Sequence, residues 1–276
     1  RSLVGSEMCI RDRCYREKRV KMKYLTAVHT DAGVGKCTNQ DSVLMETADT
    51  EYGQVLLGAV CDGMGGLAKG EVASAILVKA FSGWFHKEFP EILYKGMEAD
   101  AIRNSWTSLI LEQNQKISEY GLNCNVSLGT TVAVMLLVDN IYYIMNVGDS
   151  RVYYLKEGIT QMTVDQTFVQ REMDLGRMTL EEARNHPKRN VLLQCVGASS
   201  VIEPDFYVGE FERNSVFMMC SDGFRRVIHP EEFYERLNPA SMATEEKMKE
   251  KAVYFTELNK ARREDDNISV VLIRAY

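Results

Sequence analysis

Five aspartates stand at the borders of short apolar runs, and their type and placement make them the residues most suited to chemistry. They are Asp41, Asp62, Asp149, Asp222 and Asp266. If all five met on one rim, their carboxylates would repel one another strongly unless cations lay between them. A two-metal cluster with a bridging water is a common use of such a cage, and it suits phosphoryl transfer. Periodicity alone does not establish that they converge, and a turn or strand cap is the alternative for each.

The stretch Val60 to Gly66, which reads VCDGMGG, is the one around which we organise the chain. We predict a buried strand over Gln54 to Cys61 that delivers Asp62 at its end. The glycines that follow Asp62 let the backbone approach a metal or phosphate closely. Asp-Gly is also a turn signal in its own right, so a tight turn without chemistry is the alternative.

Composition predicts one large globular domain and argues against two classes of protein. The chain has 276 residues, of which 45% are hydrophobic and 26% charged, as in ordinary soluble domains. The net charge of −6 disfavours a nucleic-acid binder, which usually carries a basic surplus. Since no run of about 18 apolar residues occurs, we predict no membrane span.

The cysteines and histidines indicate which metals are suitable. Seven cysteines form no C-x-x-C pair, which favours free thiols in a reducing, cytoplasmic compartment. Four scattered histidines give no H-x-x-x-H motif, so a zinc site of the Cys/His type is disfavoured. Any metal must then be held by carboxylates, which favours a hard cation such as Mg²⁺ or Mn²⁺.

The elements that must position the aspartates read as two helices followed by a β meander, with further strands at the carboxyl end. Apolar stripes predict three long helices. Directly joined strands imply antiparallel sheets. The predicted helices are Glu71–Glu88, Glu98–Tyr120 and Thr244–Asn259, and the predicted strands are Tyr24–Thr30, Ser42–Met45, Gln54–Cys61, Gly129–Val138, Ile141–Val147, Arg151–Leu155, Phe206–Phe211, Val216–Cys220 and Ile268–Arg274.

Two segments differ in character from this pattern. Residues 166–192 are polar and contain only short predicted elements. We predict a mobile flap with one small helix that is capped by Thr179 and Glu182. Residues 1–21 show no clear period, and we exclude them from the domain, which we place at 22–276. Met22 is then a candidate start, with a basic tether as the alternative interpretation.

Over about residues 22–276 the sequence resembles the metal-dependent Ser/Thr protein phosphatases, the PPM or type 2C family, in their bacterial form. Seven motifs carry the resemblance, and their order and spacing make it specific. They are Thr30-Asp-x-Gly33, Asn39-Gln-Asp41, Asp62-Gly-Met-Gly-Gly66, Gly129-Thr-Thr131, Gly148-Asp-Ser-Arg151, Ser221-Asp-Gly223 and Asp266-Asn267.

The resemblance implies an α+β fold in which two antiparallel sheets pack face to face between helix pairs, in α-β-β-α layers. It also implies ligands for two core metals, Mn²⁺ or Mg²⁺. Asp62 bridges the two ions, and the carbonyl of Gly63 binds one of them. Asp222 and Asp266 complete the shell of the first metal, and Asp41 supports the cluster.

Further roles come from the same resemblance. Asp149, with Asp222, holds a third and weaker metal near the flap. Asn267 orients its neighbour Asp266. Five other motif residues are expected to be structural: Thr30, Asp31, Thr130, Thr131 and Arg151.

Three positions depart from the family's usual pattern. Lys36 stands where an arginine usually clamps the substrate phosphate, and we predict that it takes this role more weakly. Gln40 stands where glutamate is common and removes one negative charge near the second metal. Met64 replaces the histidine of animal relatives, as it does in bacterial members.

The predicted function is hydrolysis of phosphoserine and phosphothreonine in proteins, by direct attack of the water that bridges two metals. Its partners are phosphorylated proteins, with a Ser/Thr kinase among them, and the enzyme is expected to be a cytoplasmic monomer. One alternative is a catalytically weak regulator that binds phosphoproteins with the same fold. A metal-dependent nuclease is another, disfavoured by the acidic composition.

Overall fold

The protein is described by a computed structural model over residues 21–65 and 69–276. Residues 1–20 of the predicted leader and Gly66 of the glycine-rich motif lie outside the described residues. Within the described ranges every strand pair is antiparallel, as the directly joined strands predict.

Two sheets form the centre of the molecule. The strands of the first, in spatial order, are β1 (Tyr24–Asp31), β11 (Ile268–Ala275), β10 (Ser215–Cys220), β7 (Arg151–Leu155) and β8 (Ile159–Gln161). The strands of the second are β2 (Asp41–Thr50), β3 (Gly53–Gly65), β5 (Val132–Val138), β6 (Ile141–Val147) and β9 (Asp205–Glu210), with β4 (Leu128–Thr130) paired to the far end of β3.

Helices cover the outer faces of both sheets. On the second sheet they are α1 (Gly70–Lys87), α2 (Phe89–Tyr94) and α3 (Ala99–Cys124). The flap segment contributes α4 (Phe168–Asp174) and α5 (Leu180–Asn185). The remaining helices are α6 (Asp222–Arg225), α7 (Pro230–Leu237) and α8 (Glu245–Ala261), with a 3₁₀ turn at Pro239–Ser241.

Alternation along the strands divides the apolar residues among three cores. In β3, Leu57 and Ala59 face α1 and α3, whereas Leu56 and Val60 face the other sheet. In β10, Met218 faces α7 and α8, and Phe217 faces the inter-sheet core. Successive strand residues point to opposite faces, so these buried strands have apolar residues on both sides. The predicted α-β-β-α sandwich is therefore confirmed.

The helix stripes also lie where their period predicts. Leu77, Phe81 and Phe85 of α1 are buried against the second sheet, and so is Trp106 of α3. The two helices are antiparallel, because Lys69 Nζ lies 3.1 Å from Tyr120 Oη while Trp84 Nε1 donates to Ser105 Oγ at 2.6 Å.

Several local predictions were wrong. β3 does not end before Asp62 but continues through Gly65, because Gly63 and Met64 pair with β4. The predicted strand Gly129–Val138 is broken at Thr131 into β4 and β5. The short helix α6, which Asp222 begins directly after β10, was not predicted. The sequence reading also missed α2 and α7, although proline stands in the first turn of each.

Residues 166–192 contain two short helices where one was predicted. The predicted capping box is present: Glu182 N donates to Thr179 Oγ1 at 3.3 Å, and Thr179 N donates to Glu182 Oε2 at 2.7 Å. The stacked pair of Phe168 and His186 joins the segment's two helical parts. The mobility of this segment and the domain limits of 22–276 stay predictions. Among the described helices, none is both long and apolar enough to cross a bilayer.

We expect Phe217→Ala to lower the free energy of unfolding by about 3–5 kcal/mol, because it opens a cavity in the inter-sheet core. Phe217 is fully buried there against Tyr142, Tyr154 and Phe211. Urea unfolding followed by tryptophan fluorescence measures the change. Leu122→Ala, at a side chain that is 79% exposed on α3, is the control and should stay within about 0.5 kcal/mol. A Phe217→Ala loss no larger than the control would contradict this picture of the core.

Candidate metal centre

Two of the predicted aspartates lie side by side on adjacent strands of the second sheet. Asp41 opens β2 and is the direct register partner of Asp62 on β3. Asp41 is buried, and its Oδ2 accepts a hydrogen bond from Ser221 Oγ at 2.8 Å. Its other oxygen, Oδ1, is buried and has no hydrogen-bond partner within the described part of the chain. Such an atom is costly to bury unless something binds it.

The first sheet brings two more aspartates to the same place. Asp222 follows β10 directly, and Asp266 stands two residues before β11, the neighbouring strand. Ser221, next to Asp222, donates to Asp41 and so connects the two sheets. Oδ1 of Asp222 is a second buried oxygen for which the described residues supply no hydrogen-bond partner.

Convergence of the acids is visible in the electrostatics of Asp62. Burial is the largest cause that raises its pKa, followed by the negative charges of the other four: Asp41, Asp222, Asp149 and Asp266. The pKa of Asp62 is well above its usual value as a result. The five residues predicted from strand borders thus form one cluster.

The pKa values of Asp41 and Asp149 are also raised by burial and by neighbouring carboxylates. Burial raises the pKa of Asp41 to about 7; the negative charges of Asp222 and Asp266 add to this, and serine hydrogen bonds oppose it. Asp149 follows β6 and is buried, and its pKa is also raised to about 7, by burial first and Asp222 second. A cation among these groups would favour their charged forms.

The backbone around Asp62 is held by β4 and the start of β5. Thr131 N and Thr130 Oγ1 donate to the Asp62 carbonyl at 2.9 and 3.0 Å, and Asp62 N donates to Thr131 Oγ1 at 3.0 Å. Gly63 follows, and a Cβ there would lie 2.3 Å from the carbonyl oxygen of Gly70 and 2.5 Å from that of Gln40. Only glycine fits, and the structural role predicted for Thr130 and Thr131 agrees with these bonds.

Asn267 holds the loop between β1 and β2. Its Oδ1 accepts from Gln40 N at 2.9 Å, and its Nδ2 donates to the carbonyls of Ala32 and Thr38. Its backbone N also donates to Asp266 Oδ1 at 2.9 Å, a bond that does not involve the asparagine side chain. The side chain, however, mainly positions the loop that carries Lys36.

Lys36 reaches the edge of the cluster. Its Nζ lies 3.2 Å from Asp266 Oδ1, and the side chain is 44% exposed. Burial acts to raise the pKa of Asp266, but the Asn267 N–H and the charges of Lys36 and Arg226 outweigh it, and the pKa is lowered. A cation that is both exposed and beside the carboxylates is well placed to meet an incoming anion.

Arg226 and Glu264 are parts of the site that the sequence analysis missed. Arg226 contacts Asp222 in α6, donates to Glu264 Oε1 at 2.6 Å, and lies 3.4 Å from Asp266 Oδ2. Glu264 is buried, and its Oε1 also accepts from the backbone N–H groups of Asp265 and Asp266 at 3.1 Å each. The pair therefore shapes the loop of Asp266. In the sequence, the only signal for Arg226 is that it is the second of two arginines that follow the Ser221-Asp-Gly motif.

The donor set fits a hard divalent cation. It consists of carboxylate and carbonyl oxygens, and two of its buried carboxylate oxygens have no partner in the described structure. Within residues 21–65 and 69–276, no group of three or more His, Cys, Asp or Glu side chains stands ready to hold a metal. Because Arg226 and Lys36 contact Asp222 and Asp266, a cation would exchange those contacts for its own.

The comparison with known proteins agrees with this geometry. The family model for protein phosphatase 2C matches residues 33–261. The serine/threonine phosphatase stp of Listeria innocua is 34% identical over 222 residues, covering 78% of this chain and 82% of that protein. The chain belongs to the protein phosphatase 2C family. The resemblance found in the sequence motifs is confirmed.

A second relative shares the 2C domain within a longer protein. Serine/threonine protein phosphatase PstP of Mycobacterium tuberculosis is 31% identical over 255 residues, which are 92% of this chain and 45% of that protein. This chain thus spans less than half of PstP. A solved PstP catalytic domain in complex with two manganese ions is 26% identical, with a TM-score of 0.74 and coverage of 92% of this chain and 99% of that one.

Arg226 supplies a test of how this 2C-type site is held together. Its side chain is 21% exposed and that of Glu264 only 2%. We expect Arg226→Ala, measured by urea unfolding in EDTA, to lower the free energy of unfolding by about 3 kcal/mol, because the buried carboxylate of Glu264 loses its cationic partner. Arg226→Ala combined with Glu264→Ala should recover part of this loss.

The control is Lys116→Ala, which removes an exposed helix-surface pair with Glu112 and should cost at most about 1 kcal/mol. If Arg226→Ala costs no more than Lys116→Ala, Arg226 does not support the cluster.

Proposed function

We propose that the chain is a metal-dependent protein phosphatase that hydrolyses phosphoserine and phosphothreonine. The observation that carries this proposal is the convergence of four carboxylates on Asp62, with buried oxygens of Asp41 and Asp222 that have no partner in the described structure. Membership of the 2C family and the manganese-bound PstP domain support it.

The residues that would hold two core cations are Asp62, Gly63 through its carbonyl, Asp222 and Asp266, with Asp41 in support. Asp149 and Asp222 would hold a third ion beside the flap. When bound, such ions supply a water of lowered pKa and neutralise the charge of the phosphate. The chain's own part is to keep these oxygens in place through Ser221, Thr131 and Glu264.

Lys36 is the residue that we propose for binding the substrate phosphate. Its partner Asp266 is one of the proposed metal ligands, so the ammonium would lie beside a bound cation. A charge-assisted hydrogen bond there would hold the phosphate and stabilise charge that develops in the transition state. Lysine presents a point charge where arginine would present a planar fork, so it orients the phosphate less strictly.

Two of the described thiols are unsuited to covalent catalysis. Cys61 and Cys220 are buried under the sheets, and burial raises the pKa of each thiol far above neutrality, so neither forms a nucleophilic thiolate readily. Direct attack by water on phosphorus, without a phosphoenzyme, is the mechanism that the described residues favour.

The wider setting follows from the same proposal. Phosphorylated proteins are the substrates, and a Ser/Thr kinase that makes them is a partner in the same bacterial signalling. The free thiols of the described residues, Cys37 and Cys124 at the surface among them, support a reducing cytoplasmic location. We also propose a monomer, which sedimentation can test.

A catalytically weak phosphoprotein-binding regulator is the second candidate. Lys36 and Arg226 both engage ligand carboxylates, and Gln40 carries no charge, so metal affinity could be low. The two candidates differ in one measurement, which is Mn²⁺-dependent turnover of a phosphothreonine peptide. Turnover lost in chelator supports the phosphatase, and tight binding without turnover supports the regulator.

We expect Asp62→Asn to abolish phosphopeptide turnover and to weaken Mn²⁺ binding measured by calorimetry. The loss of a carboxylate that would bind the cations removes several kcal/mol of charge stabilisation, on the order of a thousandfold in rate. Stability in EDTA should stay equal or rise, because the substitution removes repulsion from Asp41 and Asp222. Asp49→Asn, at the exposed far end of β2, is the control and should behave as the parent. Full activity of Asp62→Asn, or of the parent in excess chelator, contradicts the proposal.

We expect Lys36→Ala to lower kcat/KM by about tenfold to a hundredfold, since one charge-assisted hydrogen bond contributes roughly 1.5–3 kcal/mol. Lys36→Arg should hold or raise kcat/KM. Steady-state kinetics on one phosphothreonine peptide at saturating Mn²⁺ measures both variants. Lys249→Ala, on α8 away from the cluster, is the matched lysine control. A Lys36→Ala value within twofold of the parent means that another residue binds the phosphate.

A further inference from the structure

A cavity of about 640 Å³ opens beside the aspartate cluster. Residues of α4 and α5 in the flap form one wall of the cavity. The segment from the start of α6 to α7 forms the opposite wall. Asp149 and Asp222 belong both to the cluster and to this lining. A ligand in the cavity would therefore lie next to a phosphate bound at the metals, and the volume is typical of specific ligand sites.

The charged groups of the lining are mostly cationic. Five arginines and three aspartates line the cavity, while no lysine or glutamate of the described residues does. Three of these arginines, which we call the inner arginines, pair with the aspartates: they are Arg151, Arg225 and Arg226, and Arg226 contacts Asp222. Arg151 forms two bonds of 2.7 Å with Asp165, and Arg225 lies 3.3 Å from Asp149 Oδ2 and 3.4 Å from Asp165 Oδ2.

The two outer arginines give the flap wall its positive charge. Arg184 in α5 and Arg189, which follows that helix, are both exposed and both line the cavity. Because the inner arginines already offset the three aspartates, the positive charge of this outer wall is left for a ligand. An anion entering the cavity would meet it first.

At the inner end of the cavity, Arg225 could also bind an anion. Arg225 lines the cavity, and its Nε is buried with no hydrogen-bond partner in the described structure. An N–H group of a buried guanidinium that lacks an acceptor is costly, and an anionic oxygen or its bound water would satisfy it.

Apolar side chains complete the lining and indicate the size of the ligand. Val169, Met173 and Leu180 come from the flap, and Ile228 and Phe233 from the opposite wall. Such a surface does not suit a bare inorganic anion. It suits a peptide segment with an apolar side chain next to an anionic one.

We propose that this cavity binds the flank of a phosphopeptide that carries an anionic residue close to the scissile phosphoresidue, with Arg184 and Arg189 as the selecting residues. The inference rests on the proposed phosphatase function and adds the substrate class to it. The anionic residue can be an aspartate, a glutamate or a second phosphoresidue, since all present oxygens to an arginine. Acidic or multiply phosphorylated sites are thus preferred over neutral ones.

The test compares three peptides that share one phosphothreonine. One has neutral flanks, one has aspartates within three residues on both sides, and one has a second phosphothreonine. We expect the parent to turn over the two anionic peptides about tenfold better in kcat/KM, which is about 1.4 kcal/mol, because their anionic groups can reach two exposed arginines. The aspartate and phosphate arms distinguish the two sources of charge.

Arg184→Ala combined with Arg189→Ala should reduce that preference to below about threefold. Arg177→Ala is the matched control: it removes an exposed flap arginine that pairs with Glu172 outside the cavity lining, and it should keep the preference. Equal kcat/KM on all three peptides, or a preference that survives in the double variant, overturns the inference.

A binding measurement separates this inference from the proposed function. The same peptides, labelled with fluorescein, are titrated with the Asp62→Asn protein. The increase in fluorescence anisotropy measures peptide binding in the absence of turnover. If no peptide is hydrolysed by the parent but anionic flanks still bind better and depend on Arg184 and Arg189, the phosphatase proposal fails and the docking surface stands. If hydrolysis is normal and the flanks make no difference to binding, only the docking surface fails.

Discussion

Mutual repulsion among convergent carboxylates is the constraint on which this structure depends. Asp62 lies where the charges of Asp41, Asp149, Asp222 and Asp266 all act on it, and burial adds to their effect. In water such a group would spread apart or take up protons. Here it is held by serine and threonine hydroxyls, by backbone amides and by cationic side chains at its edge. Arg226 contacts two of the acids, Lys36 one, and Arg225 another. An assembly of this kind is suited to bind further cations, and its chemistry follows from that property.

The sandwich explains why these charges can be brought together at all. One sheet contributes Asp41 and Asp62 as register partners, and the other contributes Asp222 and Asp266 at the ends of neighbouring strands. Neither sheet alone holds both pairs, so the cluster exists only where the two layers pack. The inter-sheet core around Phe217 therefore sets the distance between the pairs as well as the stability of the domain. The close approach of Gly63 to the carbonyls of Gln40 and Gly70 lets the backbone beside Asp62 pack against the starts of β2 and α1 without a side chain between them.

The flap adds a wall to a site whose floor belongs to the sheets. Its two short helices pack on each other through Phe168 and His186 and leave arginines facing the cavity beside Asp149. Strands thus hold the aspartates, while a polar surface segment lines the cavity, a common division between scaffold and loops. Arg225 belongs to both parts, because it contacts Asp149 and also lines the cavity.

Local patterns in the sequence were sufficient for much of this protein. The period of apolar residues located the long helices and most strands, and Thr179 with Glu182 marked a helix start, because these signals depend on neighbours within one or two turns. Strand borders also named all five aspartates, since a strand that ends in a carboxylate is visible in the chain itself. The end of β3 was misjudged because its last residues pair with β4, more than sixty positions away. Arg226 and Glu264 were missed for a similar reason: their pairing spans 38 residues and requires α6 and the loop before β11 to be packed together. Hydrogen-bond and charge partners that are distant in sequence come from tertiary packing, and so did the convergence of the aspartates into one site.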